Sequence, residues 1–264
     1  MMRWPYLSLF FFLGFQIADA QTLKWDKRFD QAVPEDWLVK PINTKANVYQ
    51  TEKEGDLVLY NGLVRRSFRV APNFACYDFQ NMATSQQLLR AIRPEAKLII
   101  DGKEYHVGGV VGQLEKAYLQ QEWMKGFKAG ADDFMFVGYT VTDIKPYINW
   151  KRTTWASVNK QATGKSLAVN FKSAVPSLKA LSVVVHYELY DGIPLLVKWV
   201  EVINKSNNNI VVNRIVNESL GLVEEESAVV VARPLQEKAP VELLYITGET
   251  PEKSPRAVEE KSLM

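Results

Sequence analysis

Two turn dipeptides, each placed after a run of apolar residues, constrain the fold of this chain more than any other feature. Asn61-Gly62 follows an apolar run at residues 57–60, and Asp101-Gly102 follows the strand-like residues 97–100, of which 98–100 are apolar. Asn-Gly and Asp-Gly tolerate the positive φ angles of a type I′ turn, whose twist matches that of two paired strands. Each dipeptide therefore predicts a β-hairpin.

The rest of the chain up to residue 231 repeats the strand pattern. Helical spacing of apolar residues is confined to two segments, at 85–92 and 113–125. About ten strands at short spacing, without helices alternating between them, are typical of an antiparallel sandwich. The predicted fold class is therefore all-β, with one or two short helices. Besides the two hairpins, strands are predicted at residues 74–79, 134–141, 167–171, 181–190, 195–203, 210–222 and 228–231.

The charge balance and the cysteine count each exclude a class of protein. With 32 Lys+Arg against 30 Asp+Glu the net charge is only +2, so no strong positive field attracts the phosphates of a nucleic acid. The single cysteine, Cys76, cannot form an intramolecular disulfide, so stability must come from a hydrophobic core. Small and aromatic neighbours on a predicted strand favour a buried, inert thiol at this position.

The N-terminal residues have the pattern of a secretory signal peptide. Arg3 precedes an apolar run at residues 7–15, and the small residues Ala18 and Ala20 stand where a signal peptidase cleaves. The apolar run is too short to span a bilayer comfortably. We therefore expect residues 1–20 to be removed and the mature protein to be secreted or periplasmic, with no membrane span. The alternative is an uncleaved anchor that keeps the protein on the membrane.

The C-terminal residues differ from the strands before them. Residues 232–264 hold four of the chain's 12 prolines, together with six Glu and five Lys or Arg. This composition predicts a flexible, charged tail. The expected domain organisation is thus a signal peptide at 1–20, one β-sandwich domain at 21–231 and the tail.

Candidate catalytic residues are few. The sequence has no nucleophile elbow, Walker A loop or zinc-ligand motif, so no cofactor and no metal are expected. Its two histidines, His106 and His186, lie on predicted strands, and Glu188 shares a strand face with His186 because it lies two residues further on. A histidine and a carboxylate that converge on a sheet can do general acid–base chemistry on a sugar. The alternative is a hydrogen-bonded structural histidine on a half-exposed strand.

A stretch of aromatic and basic residues between 147 and 155 is a candidate binding segment. It contains Trp150, Arg152 and Trp155. Indole faces stack on the C–H faces of sugar rings, and arginine donates hydrogen bonds to hydroxyl groups, so these three residues are candidate substrate-binding residues. The alternative is that both tryptophans pack against an edge of the sandwich.

Several segments together resemble a known family. They lie at residues 59–69, 93–96, 101–109, 187–199 and 217–218, and they include Asn-Gly-Leu-Val-Arg-Arg-Ser-Phe-Arg, Arg-Pro-Glu-Ala and Tyr-Asp-Gly-Ile-Pro-Leu-Leu-Val-Lys-Trp. These segments resemble the N-terminal β-supersandwich, of galactose-mutarotase-like fold, that precedes the barrel in α-galactosidase-like glycoside hydrolases. The resemblance covers roughly residues 56–226.

The resemblance implies a role without catalysis. In that family the nucleophile and the acid are carboxylates on a following (β/α)₈ barrel, which needs about 250 residues. The sequence ends about 40 residues after the matched region, so we expect a module without the barrel, and no catalytic residue is carried over. The implied function is that of a secreted, carbohydrate-associated module, the N-terminal part of an α-galactosidase-like glycoside hydrolase. Its expected partners are carbohydrate or a glycosidase catalytic domain.

Two alternatives stay open at this point. One is a stand-alone enzyme of mutarotase-like fold that acts on a sugar, with His106, His186 and Glu188 as the acid–base groups. The other is a sandwich that binds another protein and no glycan.

Overall fold

The computed structural model describes residues 22–31, 36–52, 55–114, 117–147 and 161–223. This part of the chain is all-β, as the sequence predicts, with three short 3₁₀ helices at Lys27–Asp30, Gln121–Gly126 and Pro176–Leu178. Its strands, in chain order, are β1 (Leu23–Lys24), β2 (Asn47–Gln50), β3 (Leu57–Tyr60), β4 (Val64–Arg69), β5 (Ala75–Asn81), β6 (Gln86–Gln87), β7 (Leu89–Ala91), β8 (Ala96–Ile100), β9 (Lys103–Val107), β10 (Phe134–Asp143), β11 (Gly164–Ser173), β12 (Leu181–Tyr190), β13 (Leu196–Asn204), β14 (Val212–Val216) and β15 (Gly221–Leu222).

The strands form two large sheets that pack face to face. One has six strands in the order β1-β2-β3-β4-β5-β6, and the other has seven in the order β13-β12-β11-β10-β9-β8-β14. β15 and β7 form a small third sheet. Neighbouring strands are antiparallel except for β1 with β2 and β9 with β10.

Aromatic side chains from both sheets meet in the main core. Phe68 and Phe74, from the side of the six-stranded sheet, stack with their ring centroids 4.8 Å apart. Phe68 also contacts Tyr187 of β12 at 5.0 Å, and Phe74 contacts Phe171 of β11 at 6.0 Å. Since all four rings are fully buried, this contact joins the two sheets into a sandwich.

Both predicted hairpins are present, but one of them turns at a different residue. Asp101 and Gly102 have φ angles of 49° and 81°, as a type I′ turn requires. In the other hairpin Tyr60 pairs with Arg65, so the turn is centred one residue later than predicted. There, positive φ is confined to Gly62, at 90°, which is typical of a type II′ turn.

The two helical predictions are wrong for most of their length. Residues 85–92 form β6 and β7 instead, because Leu89 and Ala91 are buried with the two-residue period of a strand. Among the described residues of 113–125, which exclude 115 and 116, helix is confined to the 3₁₀ helix at the end, and Leu114 and Tyr118, two of the apolar residues of the predicted helix, are exposed. The strand predicted at residues 210–222 is divided into β14 and β15.

The outer faces of the two large sheets differ in what covers them. On the six-stranded sheet, Trp25 and Phe29 pack against Tyr49 and Tyr60, and a second cluster around Phe127 packs over Ala75, Ile92 and Met124. On the seven-stranded sheet, alternate side chains of β12 point away from the core to the outer face, where those of His186 and Tyr190 are partly exposed. A candidate binding surface therefore lies on the seven-stranded sheet.

The glycine pair after β9 brings three segments of backbone into close contact. Gly108 has a φ angle of 62° and donates to the carbonyl of Phe134, and Gly109 donates to the carbonyl of Phe74. A Cβ atom on Gly108 would lie 2.5 Å from the Phe74 carbonyl oxygen. The pair is thus a tight structural loop whose amides are already bonded.

We expect Gly108→Ala to lower the free energy of unfolding by about 2 kcal/mol, because it adds a steric clash to an unfavourable φ angle. The matched control is Gly102→Ala, where φ is 81° but no atom lies within 4 Å of the new Cβ. Urea-induced unfolding followed by tryptophan fluorescence measures both changes. If both variants lost the same free energy of unfolding, the close contact between residue 108 and the Phe74 carbonyl would not explain the effect of Gly108→Ala.

Candidate functional site

His186 and Glu188 project from the same face of β12, as their spacing predicts. The neighbouring edge strand β13 runs antiparallel to β12 and pairs Trp199 with His186 and Glu201 with Val184. Because paired residues point to the same side of a sheet, Trp199 and Glu201 join His186 and Glu188 on the outer face.

Three rings stand together on this face. The imidazole of His186 lies parallel to the indole of Trp199, with centroids 4.6 Å apart and an angle of 3° between the planes. The ring of Tyr147 meets the same indole edge-on, at 5.0 Å and 76°. Tyr147 is 67% exposed, so an aromatic surface faces the solvent here.

Carboxylates and hydroxyl groups surround the three rings. Glu188 is only 1% exposed, and it accepts hydrogen bonds from the hydroxyl groups of Tyr147 at 2.8 Å and Tyr190 at 3.1 Å. The Nε2 atom of His186 lies 3.3 Å from a carboxylate oxygen of Glu201. We call Tyr147, His186, Glu188, Tyr190, Trp199 and Glu201 the aromatic–acidic patch.

The tyrosine hydroxyl groups of the patch are held in their protonated form. Burial, and then the bond to Glu188, raise the pKa of Tyr147 to about 12. The same two causes raise the pKa of Tyr190. Both hydroxyl groups therefore act as hydrogen-bond donors and not as bases at neutral pH.

The three candidate acid–base residues are not brought together. His186 and Glu188 share a face, but each bonds to a different partner. His106 lies on β9, three strand positions from β12 in the same sheet, which is about 14 Å at the usual spacing of strands. Its Nε2 atom lies 3.2 Å from Glu104, and its Nδ1 atom lies 3.7 Å from Asp133.

The candidate substrate-binding residues Trp150, Arg152 and Trp155 lie outside the described residues. Tyr147, at the start of the same stretch, is the described residue nearest to them in the sequence, and it belongs to the aromatic–acidic patch. Trp199 and Glu201 were not predicted as site residues. The two predicted strands at residues 181–190 and 195–203 could have indicated them, because antiparallel pairing brings residues of one strand opposite residues of the other. Trp199 is placed opposite His186 only when the length of the turn between the two strands is known.

A second group of polar residues is buried between the sheets. The guanidinium of Arg66, 1% exposed, bonds both carboxylate oxygens of Glu218, at 2.9 and 3.3 Å, and lies 3.5 Å from Glu95. The ammonium of Lys198 bonds Glu218 at 2.8 Å and lies 3.8 Å from the Glu95 carboxylate. The Tyr187 hydroxyl donates to the same oxygen of Glu95. Two cations and two anions thus balance one another, and we call these five residues the buried charge cluster.

The cations of the cluster act on the pKa of Glu218. Burial alone would raise the pKa of Glu218, but Arg66 and Lys198 lower it to about 2. Burial raises the pKa of the adjacent thiol of Cys76 to about 12. This agrees with the prediction of a buried, inert cysteine.

A narrow gap without room for a water molecule lies beside the cluster, and Arg66, Arg93, Glu95 and Ser219 contribute to its walls. The charged groups on its floor are bonded to one another, so they hold the sheets together and are not free to receive a ligand. Across the part of the chain that the structure describes, no three His, Cys, Asp or Glu residues are placed to hold a metal ion. The same residues contain no helix long and apolar enough to cross a membrane.

Comparison of the sequence with the models of known protein families finds no match, and neither does comparison with curated proteins.

Proposed function

We propose that this chain is a carbohydrate-binding β-sandwich module that contacts sugar through the aromatic–acidic patch and has no catalytic activity of its own. The resemblance of residues 56–226 to the N-terminal supersandwich of α-galactosidase-like glycoside hydrolases supports a place beside a glycosidase catalytic domain. The signal-peptide pattern of residues 1–20 supports action outside the cytoplasm, in the periplasm or the medium.

The observation that carries the proposal is the aromatic surface formed by the exposed Tyr147 and the partly exposed Trp199, with polar groups around it. Sugar rings present C–H groups that pack on aromatic faces, and their hydroxyl groups need donors and acceptors at the rim. The oxygens of Glu201 and of the two tyrosines provide such groups at the patch.

Two features support binding rather than catalysis. The carboxylate of Glu188 is occupied by two tyrosine hydroxyl groups, and His186 is held between Trp199 and Glu201. An acid–base pair must reach a substrate atom within hydrogen-bonding distance. With His106 on a distant strand, the residues of the enzymatic alternative do not surround a common point.

We expect Tyr147→Ala to weaken the binding of polysaccharide by about tenfold, since it removes an exposed ring of the patch. Affinity gel electrophoresis against soluble galactomannan, xyloglucan, xylan and starch measures the change. The matched control is Tyr118→Ala, because Tyr118 is also exposed but lies on a loop between β9 and β10.

Retarded migration of the wild type that survives in Tyr118→Ala and is lost in Tyr147→Ala supports the proposal. Absence of retardation by every polysaccharide, or equal retardation of all three proteins, contradicts it. The variants Trp150→Ala and Trp155→Ala, run on the same gels, test the sequence-based prediction that these two tryptophans contact sugar.

A further inference from the structure

We propose that the sugar recognised by the aromatic–acidic patch carries a positive charge, as an amino sugar with a free ammonium group does. This inference rests on the proposed function and names the class of sugar that the patch favours. It follows from the charges of the patch, from the rings beside them, and from a comparison with the other carboxylates of the same sheet.

The patch is acidic and lacks a lysine or arginine counter-ion among the residues that the structure describes. Glu201 has a side chain that is 56% exposed, and its ion-pair partner in this part of the chain is His186. Glu188 bonds only to tyrosine hydroxyl groups there. A ligand that approaches Trp199 therefore meets the exposed carboxylate of Glu201, while the carboxylate of Glu188 lies buried behind the two tyrosines.

Four other carboxylates at the strands and turns of this sheet are neutralised by lysine, with an ammonium within 3.5 Å in the pairs Glu104 with Lys97, Asp132 with Lys103, Asp143 with Lys165 and Asp191 with Lys45. Asp101 and Asp133 accept hydrogen bonds from backbone amides instead. Glu188 and Glu201 depart from this pattern at the place where the rings are exposed. The negative charge of the patch is thus a local property and not a feature of the whole sheet.

Aromatic faces strengthen the preference for a cation. An ammonium group above an indole or phenol ring is attracted by the negative face of the ring, and the attraction grows as water is excluded. Trp199 and Tyr147 supply such rings within the same patch as Glu201. A neutral sugar gains the packing but not this electrostatic attraction, so an ammonium sugar should bind more tightly than its acetylated equivalent.

The test compares the glucosamine tetramer with the N-acetylglucosamine tetramer, which has the same backbone without the charge. Titration calorimetry with the full protein at low salt measures both affinities. We expect the glucosamine tetramer to bind about tenfold more tightly, and Glu201→Gln to reduce the ratio to about twofold. The matched control is Glu104→Gln, because Glu104 is similarly exposed and also lies beside a histidine, His106, but is outside the patch.

The outcomes separate this inference from the proposed function. The preference for a cation is overturned if the wild type binds the two tetramers with nearly equal affinity. It is also overturned if Glu201→Gln leaves the ratio of the two affinities unchanged. Binding of neutral polysaccharides that depends on Tyr147 would still support the proposed function in that case. Loss of binding to both tetramers and to every polysaccharide overturns both.

Discussion

Replacing Arg66 by alanine is expected to lower the free energy of unfolding by about 4 kcal/mol. The guanidinium is buried and bonds Glu218, while it also lies within 3.5 Å of Glu95. Without it, Lys198 alone faces the buried carboxylate of Glu95 and the partly buried carboxylate of Glu218, and an uncompensated charge in the interior is costly. Alanine also leaves a cavity between Tyr187 and Phe79, whose rings lie about 5 Å from the guanidinium.

The neighbouring residue provides a matched control for this substitution. Arg65 points to the opposite face of β4, where it pairs with Asp78 and Asp30. We expect Arg65→Ala to cost only about 1 kcal/mol, because the Asp78 carboxylate keeps its bonds to Ser67, Gln80 and Gln87. Urea-induced unfolding measures both variants, and a loss in Arg66→Ala no larger than in Arg65→Ala would contradict a central role for the buried charge cluster.

The pH dependence of the free energy of unfolding is a second measurement that tests the effect of Arg66→Ala. The pKa of Glu218 lies at about 2 in the folded protein, below its ordinary value of 4.5. A carboxyl group whose pKa is lowered by folding stabilises the folded protein at any pH above the pKa that the group has in the unfolded chain. This stabilisation is lost as the pH falls from that pKa to the lower pKa of the folded protein. The wild type should therefore lose stability between about pH 4.5 and pH 2, and Arg66→Ala should lose less over the same range.

Local sequence patterns predicted most of the longer strands, but not β2, β6 or β7. β3 and β12 begin and end where the sequence predicts, because alternation and turn residues are properties of adjacent positions. The failures have a common cause, which is contact with distant residues. Residues 85–92 have helical spacing, but Leu88 donates to Phe79 and Val223 donates to Leu88, so backbone pairing with β5 and β15 outweighs local helical preference.

The candidate site was predicted only in part, for a similar reason. Alternation along one strand places His186 and Glu188 on the same face. The partners Trp199 and Glu201 come from the next strand, so they depend on cross-strand register. The separation of His106 from His186 depends on the order of strands in the sheet, which no pattern of neighbouring residues encodes.

The segments that resemble a known family have a structural explanation in this chain. All five members of the buried charge cluster lie within them, at Arg66, Glu95, Tyr187, Lys198 and Glu218. The cluster joins residues up to 152 positions apart in the sequence. These segments therefore contain the whole of the buried charge cluster but only half of the aromatic–acidic patch, since Tyr147, His186 and Glu201 fall outside them.

Replacing Asn61 by alanine is expected to lower the free energy of unfolding by about 3 kcal/mol. Its amide nitrogen donates to the carbonyl groups of Tyr190 and Ile193, at 2.7 and 2.8 Å, and its oxygen accepts from the amides of Leu63 and Val64, both at 2.9 Å. The side chain is fully buried, so water cannot replace these bonds without entering the turn. This role explains why the hairpin turns at Gly62, since Asn61 links the β3–β4 turn to the β12–β13 turn.

An exposed asparagine with the same kinds of bonds serves as the control for Asn61→Ala. Asn204 donates to the carbonyl of Asn208 and accepts from Ser206 in the turn after β13, where water can take the place of the lost groups. We expect Asn204→Ala to cost less than about 1 kcal/mol. The variant Asn61→Asp tests the direction of these hydrogen bonds. It keeps the oxygen that accepts from Leu63 and Val64, but it points a carboxylate oxygen at the carbonyl groups of Tyr190 and Ile193. We expect it to destabilise the protein at least as much as Asn61→Ala. If urea-induced unfolding gave Asn61→Ala and Asn204→Ala equal losses, the link between the two turns would not contribute to stability.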